Sequence, residues 1–165
     1  VRVEVIPISA ILQPVVLQTD VAEIGGKYYY FGTENDGRMK TGWQKIDDTW
    51  AYLGADGAAR TGWQKIDGYW YYLGEYGEME TDLRNIDGGL YYLGGDGAMR
   101  TGWQQVSGDW YYFNVSGAAV SGWLQLGSYW YYFGEDHKMV KNTIKELDGK
   151  KYAFNSDGVM LSGYL

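Results

Sequence analysis

Cysteine is absent from the 165-residue chain, so there is no disulfide framework, no zinc–thiolate site and no cysteine nucleophile. A single histidine, His137, rules out a multi-histidine metal site. Basic charge is also short. Lys plus Arg is 14 against 21 Asp plus Glu, a formal net charge of −7. Nucleic-acid binders need a basic stripe to displace counterions, so a polyanionic nucleic acid is not expected as partner. Long hydrophobic runs are missing. The longest apolar stretch, residues 1–17, is broken by Arg2, Glu4, Pro7, Ser9, Gln13 and Pro14. It falls short of the roughly 20 apolar residues that a membrane-spanning helix needs. Proline occurs only 2 times.

Aromatic residues and glycine are what the chain has in excess. There are 8 Trp, 17 Tyr, 4 Phe and 25 Gly. Disordered segments are poor in aromatics. This composition instead points to many short strands joined by tight turns.

All the Trp fall into two phases of one 20-residue period: Trp43, Trp63, Trp103 and Trp123, then Trp50, Trp70, Trp110 and Trp130. Leu83 and Leu90 fill the missing places. The clearest unit runs from Thr61-Gly62-Trp63 through Asp67-Gly68 to Trp70-Tyr71-Tyr72-Leu73-Gly74. Asp-Gly favours a two-residue hairpin turn, because both central residues need positive φ and Gly takes it at no cost. Turns near 25, 47, 67, 87, 107, 127 and 148 predict seven hairpins, with β-branched and aromatic flanks as strands prefer. Second turns are expected at Asp36-Gly37, Asp56-Gly57, Tyr76-Gly77, Asp96-Gly97, Ser116-Gly117 and Asp157-Gly158. Asp136-His137 takes the sixth place, so His137 is read as a turn residue with left-handed backbone.

A lone hairpin is marginal in water, so the hairpins must stack. Residues opposed across a two-residue turn share a face. One face then carries Trp63, Lys65, Trp70 and Tyr72, and the other Gln64, Ile66, Tyr69, Tyr71 and Leu73. The second is the expected inner face, because Ile, Val or Leu recurs at 24, 46, 66, 86, 106, 126 and 147. Residues 1–20 lack the repeat and are read as a cap or a remnant of an upstream region, with 21–165 as the repeat domain. The abrupt start, and the end at Gly163-Tyr164-Leu165, suggest a piece of a longer chain.

The Thr-Gly-Trp start, the Trp-Tyr-Tyr-Leu/Phe strand and the Gly-x-Met before the next Thr-Gly-Trp resemble the cell-wall-binding repeats of the choline-binding family. They are also similar to glucan-binding and clostridial-toxin repeats. The resemblance spans about residues 21–165 and implies an all-β solenoid of stacked hairpins, a left-handed β superhelix. It implies a secreted protein of a Gram-positive bacterial surface that binds choline of teichoic or lipoteichoic acid. In that family two Trp of one hairpin and a Tyr of the next hold the ligand, with a Met nearby. Carried over, this sets Trp43 and Trp50 with Tyr72 and Met79. It sets Trp63 and Trp70 with Tyr92 and Met99, and Trp103 and Trp110 with Tyr132 and Met139. Trp123 and Trp130 meet Ala153 in the second-Tyr slot, with Tyr152 adjacent on the opposite face. Which Tyr of each pair faces the ligand stays open. The first hairpin offers only Ala22 and Tyr28, and Leu83 and Leu90 abolish the cage of the fourth. Self-association through terminal hairpins is a further implication.

The chemistry suits these residues independently. A quaternary ammonium donates no ordinary hydrogen bond and is held by aromatic faces. A carbohydrate platform is the alternative, with Trp stacking on a glucan and Gln44, Gln64, Gln104, Asp47 or Asp67 bonding its hydroxyls. A third reading is a protein-interaction or structural spacer in which the Trp only pack. An enzyme is not expected: the recurring turn carboxylates fit turn chemistry rather than one acid–base pair, and Ser107, Ser121 and Ser128 have no triad partner. No metal or cofactor is expected, because the Asp-Gly turns lack the acidic ligand pattern of a calcium loop.

Overall fold

The structure, a computed structural model, describes residues 21–32 and 38–162. The expectations for residues 1–20, for the Asp36-Gly37 turn with its longer connection, and for Gly163-Tyr164-Leu165 lie outside the described residues. Among the described residues there is no helix, and fourteen strands form seven antiparallel hairpins. They are β1 (Val21–Ile24), β2 (Lys27–Tyr30), β3 (Gly42–Ile46), β4 (Thr49–Leu53), β5 (Gly62–Ile66), β6 (Tyr69–Leu73) and β7 (Asp82–Ile86). There follow β8 (Gly89–Leu93), β9 (Gly102–Val106), β10 (Asp109–Phe113), β11 (Gly122–Leu126), β12 (Tyr129–Phe133), β13 (Thr143–Leu147) and β14 (Lys150–Phe154). The all-β class and the seven hairpins read from the repeat are therefore present.

The turn chemistry sets the pairing. Asp67 and Gly68 both have positive φ, 51° and 90°, as do Asp87 with Gly88 and Ser107 with Gly108. Gly127-Ser128 differs: only Gly127 is positive, at 59°, the glycine-first pattern of a type II′ turn. Both turn types keep the same register. Ile46 opposes Thr49 and Trp43 opposes Tyr52; Leu126 opposes Tyr129 and Trp123 opposes Tyr132. His137 has φ 62°, the left-handed turn residue that its place in the repeat predicts. Asp82 and Asn142 take left-handed φ at the strand start that Gly fills in Gly62, Gly102 and Gly122.

The chain divides into two compact units, one of Val1–Gln64 with Leu73–Met79, the other of Lys65–Tyr72 with Glu80–Leu165. In each, a connector after a hairpin pairs back onto the preceding one. In unit 1 the Ala59 N–H donates to Tyr28 O and the Met79 N–H to Trp50 O, at 2.8 and 2.7 Å. In unit 2 the Met99, Ala119, Met139 and Met160 N–H groups donate to the carbonyls of Trp70, Leu90, Trp110 and Trp130 at 2.8 Å.

The buried residues are chiefly the last of each second strand: Leu53, Leu73, Leu93, Phe113, Phe133 and Phe154. The other row expected inside is less covered. Ile66 and Ile86 are buried, Ile46, Val106, Leu126 and Leu147 are half-buried, and Ile24 is exposed. Position next to the turn explains this, because side chains at a hairpin tip have fewer neighbours than those at its open end. No polar or charged side chain is buried among the described residues.

Phe133 is 0% exposed, so Phe133→Ala is expected to lower stability by about 3–5 kcal/mol. Asp82→Gly relieves a left-handed non-glycine residue and should be neutral or stabilising. Urea unfolding of the two variants checks both signs.

Candidate functional site

Unit 2 shows how a pocket arises. Across β9–β10, Trp103 opposes Tyr112 and Trp110 opposes Gln105, so the two indoles are diagonal neighbours on one face. Their rings lie 6.2 Å apart at 84°, edge to face, and Tyr112 abuts Trp103 at 5.3 Å. The next hairpin adds Tyr131, 4.9 Å from Trp103 at 69°, and Phe133 at 5.7 Å. Met139 is held beside Trp110 by its backbone bond to the Trp110 carbonyl. The resulting pocket has a volume of about 370 Å³ and is lined by Trp103, Trp110, Tyr131, Met139, Ser156 and Asp157.

Of the residues assigned to this pocket from the sequence, Trp103, Trp110 and Met139 meet there and Tyr132 does not. Tyr131 takes its place. Leu124 opposes Tyr131 and Trp123 opposes Tyr132 across β11–β12, so adjacent tyrosines point to opposite faces. The Tyr131 face looks back to Trp103. Tyr132 faces forward instead: it lies 5.2 Å from Trp123 of its own hairpin and 6.5 Å from Phe154 of the next, and carries Lys145 Nζ of the next over its ring at 5.8 Å.

The same displacement completes the following set. Trp123 and Trp130 lie 6.2 Å apart at 84°, and Tyr152 approaches Trp123 at 4.8 Å and 71°. The Met160 N–H donates to the Trp130 carbonyl. Ala153 in the second-Tyr slot thus removes nothing, because the first Tyr supplies the ring. Tyr131 and Met160 were not singled out from the sequence, and Tyr152 was noted only as the neighbour of the second-Tyr slot; the step of 21 from Tyr131 to Tyr152 is the 20-residue period with one residue added.

The fourth hairpin is closed. Tyr111, the counterpart of Tyr131, is only 5% exposed and stacks on Phe113 at 6.1 Å and 25°. Burial pushes the Tyr111 phenol above its ordinary pKa, partly offset by Lys138, whose Nζ lies 2.6 Å from Asp109. Ala119 stands where other connectors place a Met. Tyr92 packs on Phe113 at 6.1 Å and 27°.

The remaining assigned residues divide between the units. In unit 1, Trp43 and Trp50 lie 6.4 Å apart at 87° and Met79 bonds the Trp50 carbonyl. In unit 2, Met99 bonds the Trp70 carbonyl. Tyr72 lies in unit 2 and Trp63 in unit 1. The indoles are open to solvent: Trp50, Trp70 and Trp130 are 42%, 41% and 38% exposed.

The glutamines offered as sugar-bonding groups are already engaged. Gln44, Gln64 and Gln104 donate through Nε2 to the carbonyls of Thr41, Thr61 and Thr101 at 3.0, 2.9 and 3.1 Å. Gln104 also opposes Tyr111, on the face away from Trp103. No group of His, Cys, Asp and Glu suited to a metal exists among the described residues.

These features define a repeat protein of hairpins with solvent-open Trp–Trp–Tyr–Met clusters, and comparison with known proteins places it. The family model described as a choline-binding repeat matches residues 18–59, 60–101, 100–143 and 120–164. The chain belongs to the choline-binding repeat family. It is similar to CbpJ from Streptococcus pneumoniae, with 36% identity, a TM-score of 0.78, and coverage of 87% of this chain and 48% of that one. It is likewise similar to choline-binding protein F from Streptococcus pneumoniae, solved with a tetrasaccharide-pentapeptide peptidoglycan analogue, at 35% identity and a TM-score of 0.78, covering 88% and 47%. A third is the pneumococcal cell wall endolysin from phage Cp-1 complexed with choline, at 32% identity and a TM-score of 0.54, covering 74% and 37%. The chain thus spans about half the length of the first two. No match was found among curated protein sequences.

Tyr111→Phe is expected to delete a tyrosine that ionises above the ordinary range. Comparing spectrophotometric alkaline titrations of the variant and the unsubstituted chain checks this.

Proposed function

We propose that this chain is a non-catalytic attachment module that holds choline of teichoic or lipoteichoic acid on a Gram-positive cell wall. The cation sits in aromatic cages built between consecutive hairpins. The observation that carries the reading is a coupling inside the chain. Each Trp pair has a Met whose N–H bonds the second Trp: Met79 with Trp50, Met99 with Trp70, Met139 with Trp110 and Met160 with Trp130. Where the slot holds Leu90 or Tyr28, the partner is Ala119 or Ala59. Packing alone gives no reason for Trp and Met to be present or absent together at these six connectors, since the hairpins form in either case. A shared ligand does.

The chemistry supports a cation. Three convergent rings attract a quaternary ammonium by about 0.5–2 kcal/mol each, and the thioether adds a soft, polarizable wall. Single sites are then weak, with Kd about millimolar, and several on one chain act together through effective concentration. Lys145 over Tyr132 is an internal instance of the same attraction. A glucan finds fewer polar partners at these rings, because Gln104 lies on the face away from Trp103, and Gln64 and Gln104 each spend Nε2 on a backbone carbonyl. That the phage Cp-1 endolysin is complexed with choline agrees with this reading. Secretion and display at the cell surface follow from such a ligand.

Calorimetry with choline is expected to give millimolar binding with no comparable heat from gluco-oligosaccharides. Tyr131→Ala should weaken the Trp103 site about tenfold, whereas Tyr132→Phe should leave that site unchanged. Heat from the glucan but not from choline would overturn the proposal.

A further inference from the structure

The Trp103 cage has one more wall. Its remaining side is lined by Ser156 and Asp157, from the turn that follows β14. Trp130, in the other set of unit 2, serves as an internal reference.

Asp157 is the interesting group because its turn does not need it. In the earlier turns the aspartate at this position serves the backbone. Asp56 Oδ1 accepts from the Ala58 N–H at 3.2 Å, Asp96 Oδ1 from the Ala98 N–H at 3.1 Å, and Asp136 Oδ1 from the Lys138 N–H at 3.2 Å. Asp56 and Asp96 are also neutralised by Arg60 and Arg100, at 2.9 and 2.7 Å. After β14, Asn155 does this work instead: its Oδ1 accepts from the Asp157 and Val159 N–H groups at 3.0 and 2.8 Å. The Asp157 carboxylate has no hydrogen bond or ion pair among the described residues. Gly158, at φ 77°, draws the turn down onto the cage, for any Cβ there would strike Met139 Sδ. A bare carboxylate is thus placed at the rim of three rings that already favour positive charge.

We propose that Asp157 is a specificity-determining residue of the Trp103 cage. It makes that cage select a fully charged quaternary ammonium over a neutral ligand of the same shape. The inference rests on the cage reading above. Asp157 is exposed, so water screens it, and its effect on affinity is about two- to fivefold.

The test uses the 165-residue chain and its Asp157→Asn variant. Choline and its uncharged isostere 3,3-dimethylbutan-1-ol are titrated while the indole N–H resonances of Trp110 and Trp130 are followed by NMR. The substitution should lower choline affinity at Trp110 about two- to fivefold, leave Trp130 alone, and leave the isostere unchanged at both. Added salt should narrow the difference between the variant and the unsubstituted chain at Trp110. Asn155 keeps the turn, so thermal unfolding should not move. If choline affinity at Trp110 is the same in the variant, or if the isostere loses as much as choline does, the role of Asp157 is disproved while the cages stand. If choline shifts neither indole in the unsubstituted chain, the cage reading fails, and the role of Asp157 with it.

Discussion

One backbone bond recurs through the described residues and organises the rest. The amide of a connector residue donates to the carbonyl of the second ring position in the preceding hairpin, as Met139 does to Trp110. A hairpin of two five-residue strands buries too little surface to stand alone. This bond fixes the distance and phase between neighbours, so that the strand-end residues Leu93, Phe113 and Phe133 reach full burial. It also puts a side chain next to each second indole, and the connector's choice of Met or Ala then decides whether the space there is walled or left small.

Structure and ligand site compete for few of the same residues. The core row of Leu and Phe alternates along the second strand with the indole and the outer tyrosine. A hairpin can therefore lose its site without losing its fold. The fourth hairpin shows this. With Leu83 and Leu90 in the ring positions, Tyr111 turns inward and is buried, yet Leu90 keeps its bond to Ala119. His137 lies in the turn after β12, with Nδ1 3.3 Å from the Val120 carbonyl. Its left-handed backbone takes the place of the glycine found at this position in other turns.

The acidic balance of the chain fits a cationic ligand better than a polyanion, but the carboxylates of Asp56, Asp96 and Asp136 are occupied by their own turns. Asp56 is held below the usual carboxylate pKa, chiefly by the Ala58 N–H, against the burial that would raise it and with help from Arg60. A carboxylate serving its own turn presents little net field to a ligand. Net charge is therefore a poor guide to the field at a cage, and the local hydrogen-bond assignment of each acid matters more.

The number of hairpins, their turns, their register and the Trp pairs were legible in the sequence, because a two-residue turn with positive φ leaves only one pairing and a 20-residue period repeats it. The left-handed backbone at His137 was legible for the same reason. The tyrosine that joins each Trp pair was not. Alternation along a strand assigns Tyr131 and Tyr132 to opposite faces, but it says nothing of which face meets the neighbouring hairpin. The Trp face is an interface rather than an outer surface, and it receives the opposite face of the next hairpin. Tyr131 and Tyr152 are thus brought to Trp103 and Trp123, a contact that depends on the offset between hairpins rather than on pairing within one. Asp157 lies further still in the chain from Trp103, and only the packing of a later turn against Met139 places it at that pocket.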